Sequence, residues 1–489
     1  MNLSQLLTRV VRHSAVYGLA DFVGKAIGFL LIPLYTRKLS QEAFGQLQIL
    51  LLFQTFGVMT FGIGQIGTVL RYHPKARDDS ERSQLIRGAT SIVALSCTFF
   101  LVVGLLAAET LSVRFLGGPE LTNVVRLFLA GIIARVVSDL PLTLLRIEER
   151  SARYGAGTLL RLLMSLVLIL YFVVVRDMGV LGVVLGDVIA SAVLFLSLLP
   201  VFRRHWGAGG GQNPDFGFRA FLSFGWPYMV VNLGAFGLIA IDRLFLAGRG
   251  DLVDAGVYSL GGKLASLVNI LVLSPFTLVW GPLSFRLAEE DDPAEAQRIF
   301  SRLFTYFAFV LYVLGLALYL FAPEAFALAA PPEYADADRV VPLLVGSMIV
   351  FGFYKHFQVG LAITGKTKSI ATSFVLAALC NLAANAALVP RFGMMGAAVA
   401  TLLSYFVMCG FLLAQVQRVY PVPYEWRRVV PWALVAILLG WTREFLPDVG
   451  TAGNVVLKAA VLLVLPVAIF LSLPANERQA ARKWVTQLW

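Results

Sequence analysis

The chain has 489 residues, of which 58% are hydrophobic and only 14% charged, and its mean hydropathy is +0.79. No water-soluble domain of that size hides so much apolar surface, so the composition excludes a soluble enzyme and implies a chain that lives in lipid. The net charge of +11 then calls for a membrane explanation, not a nucleic-acid partner.

A helix rising 1.5 Å per residue needs about 20 apolar residues to cross the hydrocarbon, and about fourteen stretches qualify. The N-terminal MNLSQLLTRVVRHS has too short an apolar run for a signal sequence and no small-residue cleavage site, so the first helix is expected to be retained, preceded by a short amphipathic segment. Spans 1 to 6 fall at 14–36, 44–69, 85–108, 121–145, 155–175 and 179–201. Spans 7 to 12 fall at 219–246, 255–284, 300–322, 340–363, 369–389 and 394–416, with spans 13 and 14 at 428–446 and 454–473. The expected class is all-α integral membrane.

Lys and Arg cluster in alternate loops, for example Arg71, Lys75, Arg77 and Arg82 after span 2, and Arg146, Arg150 and Arg153 after span 4. Roughly 24 lie on that side against about 8 on the other, which by the positive-inside rule puts both termini in the cytoplasm. The basicity is topology.

Two distant stretches match: RDMGVLGVVLGDV at 176–188 and PRFGMMGAAVATL at 390–402, with Gly179 and Gly182 falling on Gly393 and Gly396. Each joins two spans, so the chain reads as a duplication. Because six spans are an even number, the halves are parallel repeats with a cleft expected at their axis. The expected parts are an N-lobe at 1–206, a Gly-rich cytoplasmic linker at 207–218, a C-lobe at 219–418, and an appended pair of spans with a tail at 419–489.

Ionisable residues at membrane depth are costly and usually face a bundle interior or an aqueous cavity. Asp21 and Lys25 lie one turn apart in span 1, and Arg135 and Asp139 do the same in span 4; each pair either neutralises itself within its helix or lines a cavity. Arg161 sits in span 5, Asp187 in span 6, Lys263 in span 8, and Lys355 beside His356 in span 10. Lys263 and Lys355 have no acidic residue one turn away in the sequence, which favours a cavity. Spans 4 and 10 are repeat mates, so Arg135 and Lys355 are placed to meet one anionic substrate from both lobes. Lys25, Arg135, Lys263 and Lys355 are therefore the candidate substrate-binding residues, and Asp21, Asp139 and Asp187 the candidates for proton or sodium coupling.

GLAITGKT at 360–367 fits the phosphate-loop pattern G-x-x-x-x-G-K-[ST]. That motif works only where a strand feeds a helix start, and here an apolar helix precedes it, so no nucleotide is implied. Cys97, Cys380 and Cys409 lie inside spans without metal-ligand spacing and read as packing thiols. Asn381 and Asn385 read as hydrogen-bonding groups between helices. No catalytic constellation, metal or cofactor is implied.

FLSFGWPYMVVNLGAFGLIAIDRLFLAGRGDLVDAGVYSLGGKLASLV at 221–268, with its Phe-Gly-x-Pro opening, Asp242-Arg243 and Gly256-Val257-Tyr258, resembles the corresponding passage of the bacterial polysaccharide transport family. A second stretch, from Gly365 to Tyr405, resembles it through Asn381, Asn385, Pro390, Gly393 and Gly396. The resemblance covers spans 1 to 12. It implies a MATE-like fold of the MOP superfamily, two six-helix lobes forming a V. It implies a flippase that moves an undecaprenyl-diphosphate-linked oligosaccharide across the bacterial inner membrane by alternating access, for O-antigen or exopolysaccharide synthesis. The implied partners are that glycan lipid, membrane lipids, a coupling ion and a polysaccharide polymerase. Lipid II flipping is the near alternative, drug or cation antiport the remoter one.

Overall fold

The computed structural model describes residues 23–205, 218–290, 292–366, 368–475 and 477–479. Among them every regular element is a helix, because in hydrocarbon a backbone must satisfy its own N–H and C=O groups and a helix does so within one segment. The first half contains α1 (23–38), α2 (Gln41–Thr60), α3 (Gln65–Tyr72), α4 (Asp79–Leu116), α5 (Thr122–Ile147), α6 (Ser151–Leu170) and α7 (Gly179–His205). The second contains α8 (Phe218–Gly248), α9 (Leu252–Val268), α10 (Ser274–Glu290), α11 (Pro293–Leu320), α12 (Ala322–Ala329), α13 (Ala337–Ile363), α14 (Lys368–Val419), α15 (Trp426–Trp441) and α16 (Thr451–Ser472).

Among the described residues, 10 helical runs are long and apolar enough to cross a bilayer. One of them, α14, has 52 residues, which is about 78 Å of helix and more than twice the hydrocarbon thickness. It divides at Gly393, whose φ of 52° and ψ of −133° are not helical, so it is two spans. With α1, α8 and α15, the last extended by a 3-10 turn at Thr442–Phe445, each stretch read from the sequence as a span is mainly helical where described, span 2 being broken by a turn at 61–64.

The sequence repeat is also a backbone repeat. Gly179 opens α7 with φ at +55° and Gly393 opens the second half of α14 with φ at +52°, values that side chains with a Cβ rarely adopt. Spans 2 and 8, which the sequence repeat pairs, each carry an irregularity of a different kind. The first breaks between α2 and α3, where Ile63 and Gly64 have φ of 41° and 64°. The second is interrupted between α9 and α10 by a π-turn at Asn269–Leu273.

The chain forms two compact units that divide between Gly256 and Val257. In the first, α5 packs on α4 and α7, and α7 on α6. Its core includes Val69, Ile86, Leu140 and Leu144, each 2% exposed or less. Lipid is as apolar as these side chains, so dispersion and close backbone approach hold them together more than water exclusion does. Helix α8 packs here too, on α2, α3 and α4, with Phe221 buried and its carbonyl facing Gln65 Nε2 at 3.5 Å.

In the second unit α13 lies along α14 and α11, and the appended pair α15 and α16 docks on α11. Ion pairs fix the pair at both ends. Arg443 forks onto Asp338, and Lys458 Nζ reaches Glu324 Oε1 at 2.5 Å. At the opposite end Arg428 bridges Glu425 at 3.1 Å and Glu477 at 3.3 Å, while Thr305 of α11 donates to Glu425 at 2.8 Å.

Candidate functional site

The charged groups of the first unit gather within its helices. Asp187, on α7, accepts a hydrogen bond from Gln54 Nε2 of α2 at 2.7 Å and pairs with Arg161 Nη1 of α6 at 3.4 Å. The Arg161 and Asp187 side chains are 13% and 19% exposed. Arg135 and Asp139, on successive turns of α5, lie within electrostatic reach of Arg161. Tyr35 of α1 lies within electrostatic reach of Asp187. Five helices thus contribute to one polar cluster inside an apolar bundle.

Periodicity explains how the helices build it. Arg135 and Asp139 share a face because i and i+4 are neighbours on a 3.6-residue helix. Arg161 and Asp187 come together because α6 and α7 form the hairpin that turns at Gly179. Chemically, the cluster presents two guanidinium forks, the group best shaped to grip phosphate oxygens, with carboxylates near enough to balance them. A buried pair of that kind costs desolvation and adds little stability for it, so stability alone does not explain it.

The other predicted residues divide as follows. Lys25 is half-buried on α1, and its neighbour Gly24 faces Leu162 of α6, next to Arg161. Asp21, the linker at 207–218 with the exception of Phe218, and the N-terminal amphipathic segment lie outside the described residues. Lys263 on α9 and Lys355 on α13 are half-buried in the second unit, and the Lys355 ammonium sits 5.0 Å from the centre of the Phe351 ring.

His356 points elsewhere, because adjacent helical residues diverge by about 100°. It is 2% exposed and stacks on Trp280 with 4.7 Å between ring centres, inside a cage completed by Phe276, Phe304 and Tyr424. That is a packed aromatic core. Asn385 donates to the Asn381 carbonyl one turn back at 2.9 Å, and Tyr258 meets Thr401 at 3.1 Å between helices.

The phosphate-loop look-alike is a helix end. Gly365 takes φ of +69° after α13, with Gly365 N–H bonded to Ala362 and Lys366 N–H to Leu361. Gly-Lys here closes a helix C-terminus, where carbonyls point outward and repel phosphate.

Sequence reasoning placed Arg135, Asp139 and Asp187, and noted Arg161 without giving it a role. The only charge in the apolar stretch Thr158–Val175 was the available signal. Gln54 and Tyr35 were missed.

A family model described as polysaccharide biosynthesis protein matches residues 10–288, more than half of the chain. An uncharacterized membrane protein of Haemophilus influenzae is 21% identical over 281 residues, 54% of this chain and 63% of that relative, so the match spans less than two thirds of the relative's length. Among solved structures, the lipid II flippase MurJ in an inward closed conformation is similar with a TM-score of 0.74 at 12% identity, over 94% of this chain and 99% of that one. An inward-facing multidrug resistance MATE family transporter of the MOP superfamily is similar with a TM-score of 0.64 at 15% identity, over 82% of this chain and 93% of that one. At such identities the likeness is one of fold.

Proposed function

The chain belongs to the polysaccharide biosynthesis protein family, and from that premise we propose that it is a flippase for an undecaprenyl-diphosphate-linked oligosaccharide in the bacterial inner membrane. The observation that carries the reading is the cluster of Arg135, Arg161, Asp139, Asp187 and Gln54 within the spans of the first unit. Charges at that depth serve a polar cargo or a wet path. A diphosphate is such a cargo, and guanidinium forks suit its oxygens. The break in span 2 at Ile63 and Gly64 supports the same assignment, since discontinuous spans mark transporter binding regions.

In this mechanism the diphosphate competes with Asp187 for Arg161, and Gln54 keeps hold of the released carboxylate. Arg135 and Lys25 add charge within the first unit, and Lys263 and Lys355 are the candidate cargo-binding cations of the second. Asp139 and Asp187, with Asp21, take up protons or sodium as the lobes alternate between faces, both termini staying cytoplasmic. A polysaccharide polymerase draws the product onward for surface O-antigen or exopolysaccharide. Expression in a strain lacking its own oligosaccharide flippase tests this: wild type restores surface polysaccharide and Arg161→Ala does not, at equal protein level.

Lipid II is the second reading, because it presents the same diphosphate and the MurJ-like fold extends over 94% of the chain. Rescue of a lipid II flippase depletion, without rescue of surface polysaccharide, selects it. Drug or cation antiport is less well supported, because such cargo does not call for paired arginines.

A further inference from the structure

The second unit contains a cavity of ≈ 710 Å³ remote in sequence from the arginine cluster. It is a slot with α15 on one side and α13 and the second half of α14 on the other, α11 joining the two. No charged side chain lines it among the described residues. Small residues hollow it out: a Cβ built on Gly346 would have only Leu402 Cδ1, at 3.6 Å, within 4 Å. Phe406 and Ile437 on its rim are 56% and 67% exposed at span depth, so the slot opens sideways onto hydrocarbon.

One end is polar. Tyr319 lines the slot, while its carbonyl accepts from Arg443 Nη1 at 2.9 Å and its ring lies 4.8 Å from the same guanidinium. Asp338 takes the other side of Arg443, leaving the plug charge-balanced. Trp441 and Tyr319 are the aromatic residues expected at headgroup level.

We propose that this slot is a resident-lipid site that takes one acyl chain of a phospholipid, with the headgroup at the Arg443–Asp338 plug. By the loop charge pattern that end faces the outer leaflet. Water does not wet an apolar hollow, and an empty one forfeits dispersion contacts along its walls. A chain from the surrounding bilayer enters sideways without giving up a hydrogen bond. The volume, in the range of a small-molecule pocket, is too small for an undecaprenyl tail, which is several times longer than an acyl chain.

The test uses the full chain in vesicles of phosphatidylethanolamine and phosphatidylglycerol, doped with a phosphatidylethanolamine that carries a diazirine near one acyl terminus. After illumination, peptide mapping is expected to find label at 345–353 and 433–441. Gly346→Trp and Ala436→Trp, which fill the slot, each lower that label by roughly tenfold, while label on the lipid-facing Phe99 and Leu106 of α4 stays constant. Two independent fillings keep the test open should one variant misfold. Slot label that both variants leave unchanged overturns the proposal. So does a polyprenyl-phosphate diazirine probe that labels the slot and displaces the phospholipid, since the occupant is then the carrier's tail.

Discussion

Arg161 of α6 and Asp187 of α7 form an ion pair within the spans, 3.4 Å apart, and Gln54 of α2 holds the other carboxylate oxygen at 2.7 Å. Three helices meet at one carboxylate. Removing only the cation leaves that carboxylate largely buried and uncompensated, so Arg161→Ala is expected to lower stability by about 3 kcal/mol, and a further Asp187→Asn to recover about 1 kcal/mol or more. Unfolding of single and double variants in one detergent measures the coupling; strictly additive losses contradict it.

Arg135 differs from Arg161 in making no ion pair at contact distance among the described residues, although it lies within electrostatic reach of Asp139 and Arg161. Its guanidinium is therefore available to a ligand at little structural cost. Arg135→Ala should weaken diphosphate binding by roughly tenfold to a hundredfold, the worth of about 1.5–3 kcal/mol for a charged hydrogen bond. Its melting temperature should stay near that of wild type. Isothermal titration with a water-soluble diphosphate sugar reads the first quantity and a thermal scan the second; a large loss of stability with binding intact reverses the assignment.

His356 sits in its aromatic cage with neither ring nitrogen in a hydrogen bond of normal geometry, although the Phe300 backbone is close. Replacing a buried, poorly satisfied polar ring by an apolar one of similar shape is nearly neutral. His356→Phe is expected to change stability by less than about 1 kcal/mol and to leave the pH profile of transport where it was. A shifted profile would make His356 part of the proton path.

Gly393 adopts a backbone conformation that a Cβ strains, whereas Gly410, farther along α14, has open space around it. Gly393→Ala should cost about 1–3 kcal/mol, and Gly410→Ala should be neutral or stabilising by up to about 1 kcal/mol through helix propensity. Parallel thermal scans decide; equal effects remove the argument that the turn needs glycine.

What was legible in the sequence was whatever depends on near neighbours along the chain. Apolar run length located the spans, and the repeated Gly-x-x-Gly located two turns that do share a positive φ. Spacing put Arg135 and Asp139 on one face of α5. The partnership of Asp187 with Arg161 was not legible, because it depends on how α6 and α7 pack, and Gln54 carries no charge to mark it in an apolar run. Lys355 and His356 are adjacent in sequence but face different neighbours, because consecutive helical residues diverge, and only Lys355 is left half-exposed. The packing of α8 with the first unit likewise follows from tertiary contacts that no local pattern encodes.

The most direct test of the arginine cluster is transport by the protein alone in proteoliposomes, with a fluorescent undecaprenyl-diphosphate-linked oligosaccharide in the inner leaflet and a membrane-impermeant glycosidase outside. Wild-type protein is expected to expose the glycan to the enzyme faster than protein-free vesicles do, and Arg135→Ala and Arg161→Ala to abolish that gain while remaining folded. Exposure no faster than in empty vesicles, or at the wild-type rate in both folded variants, contradicts the account.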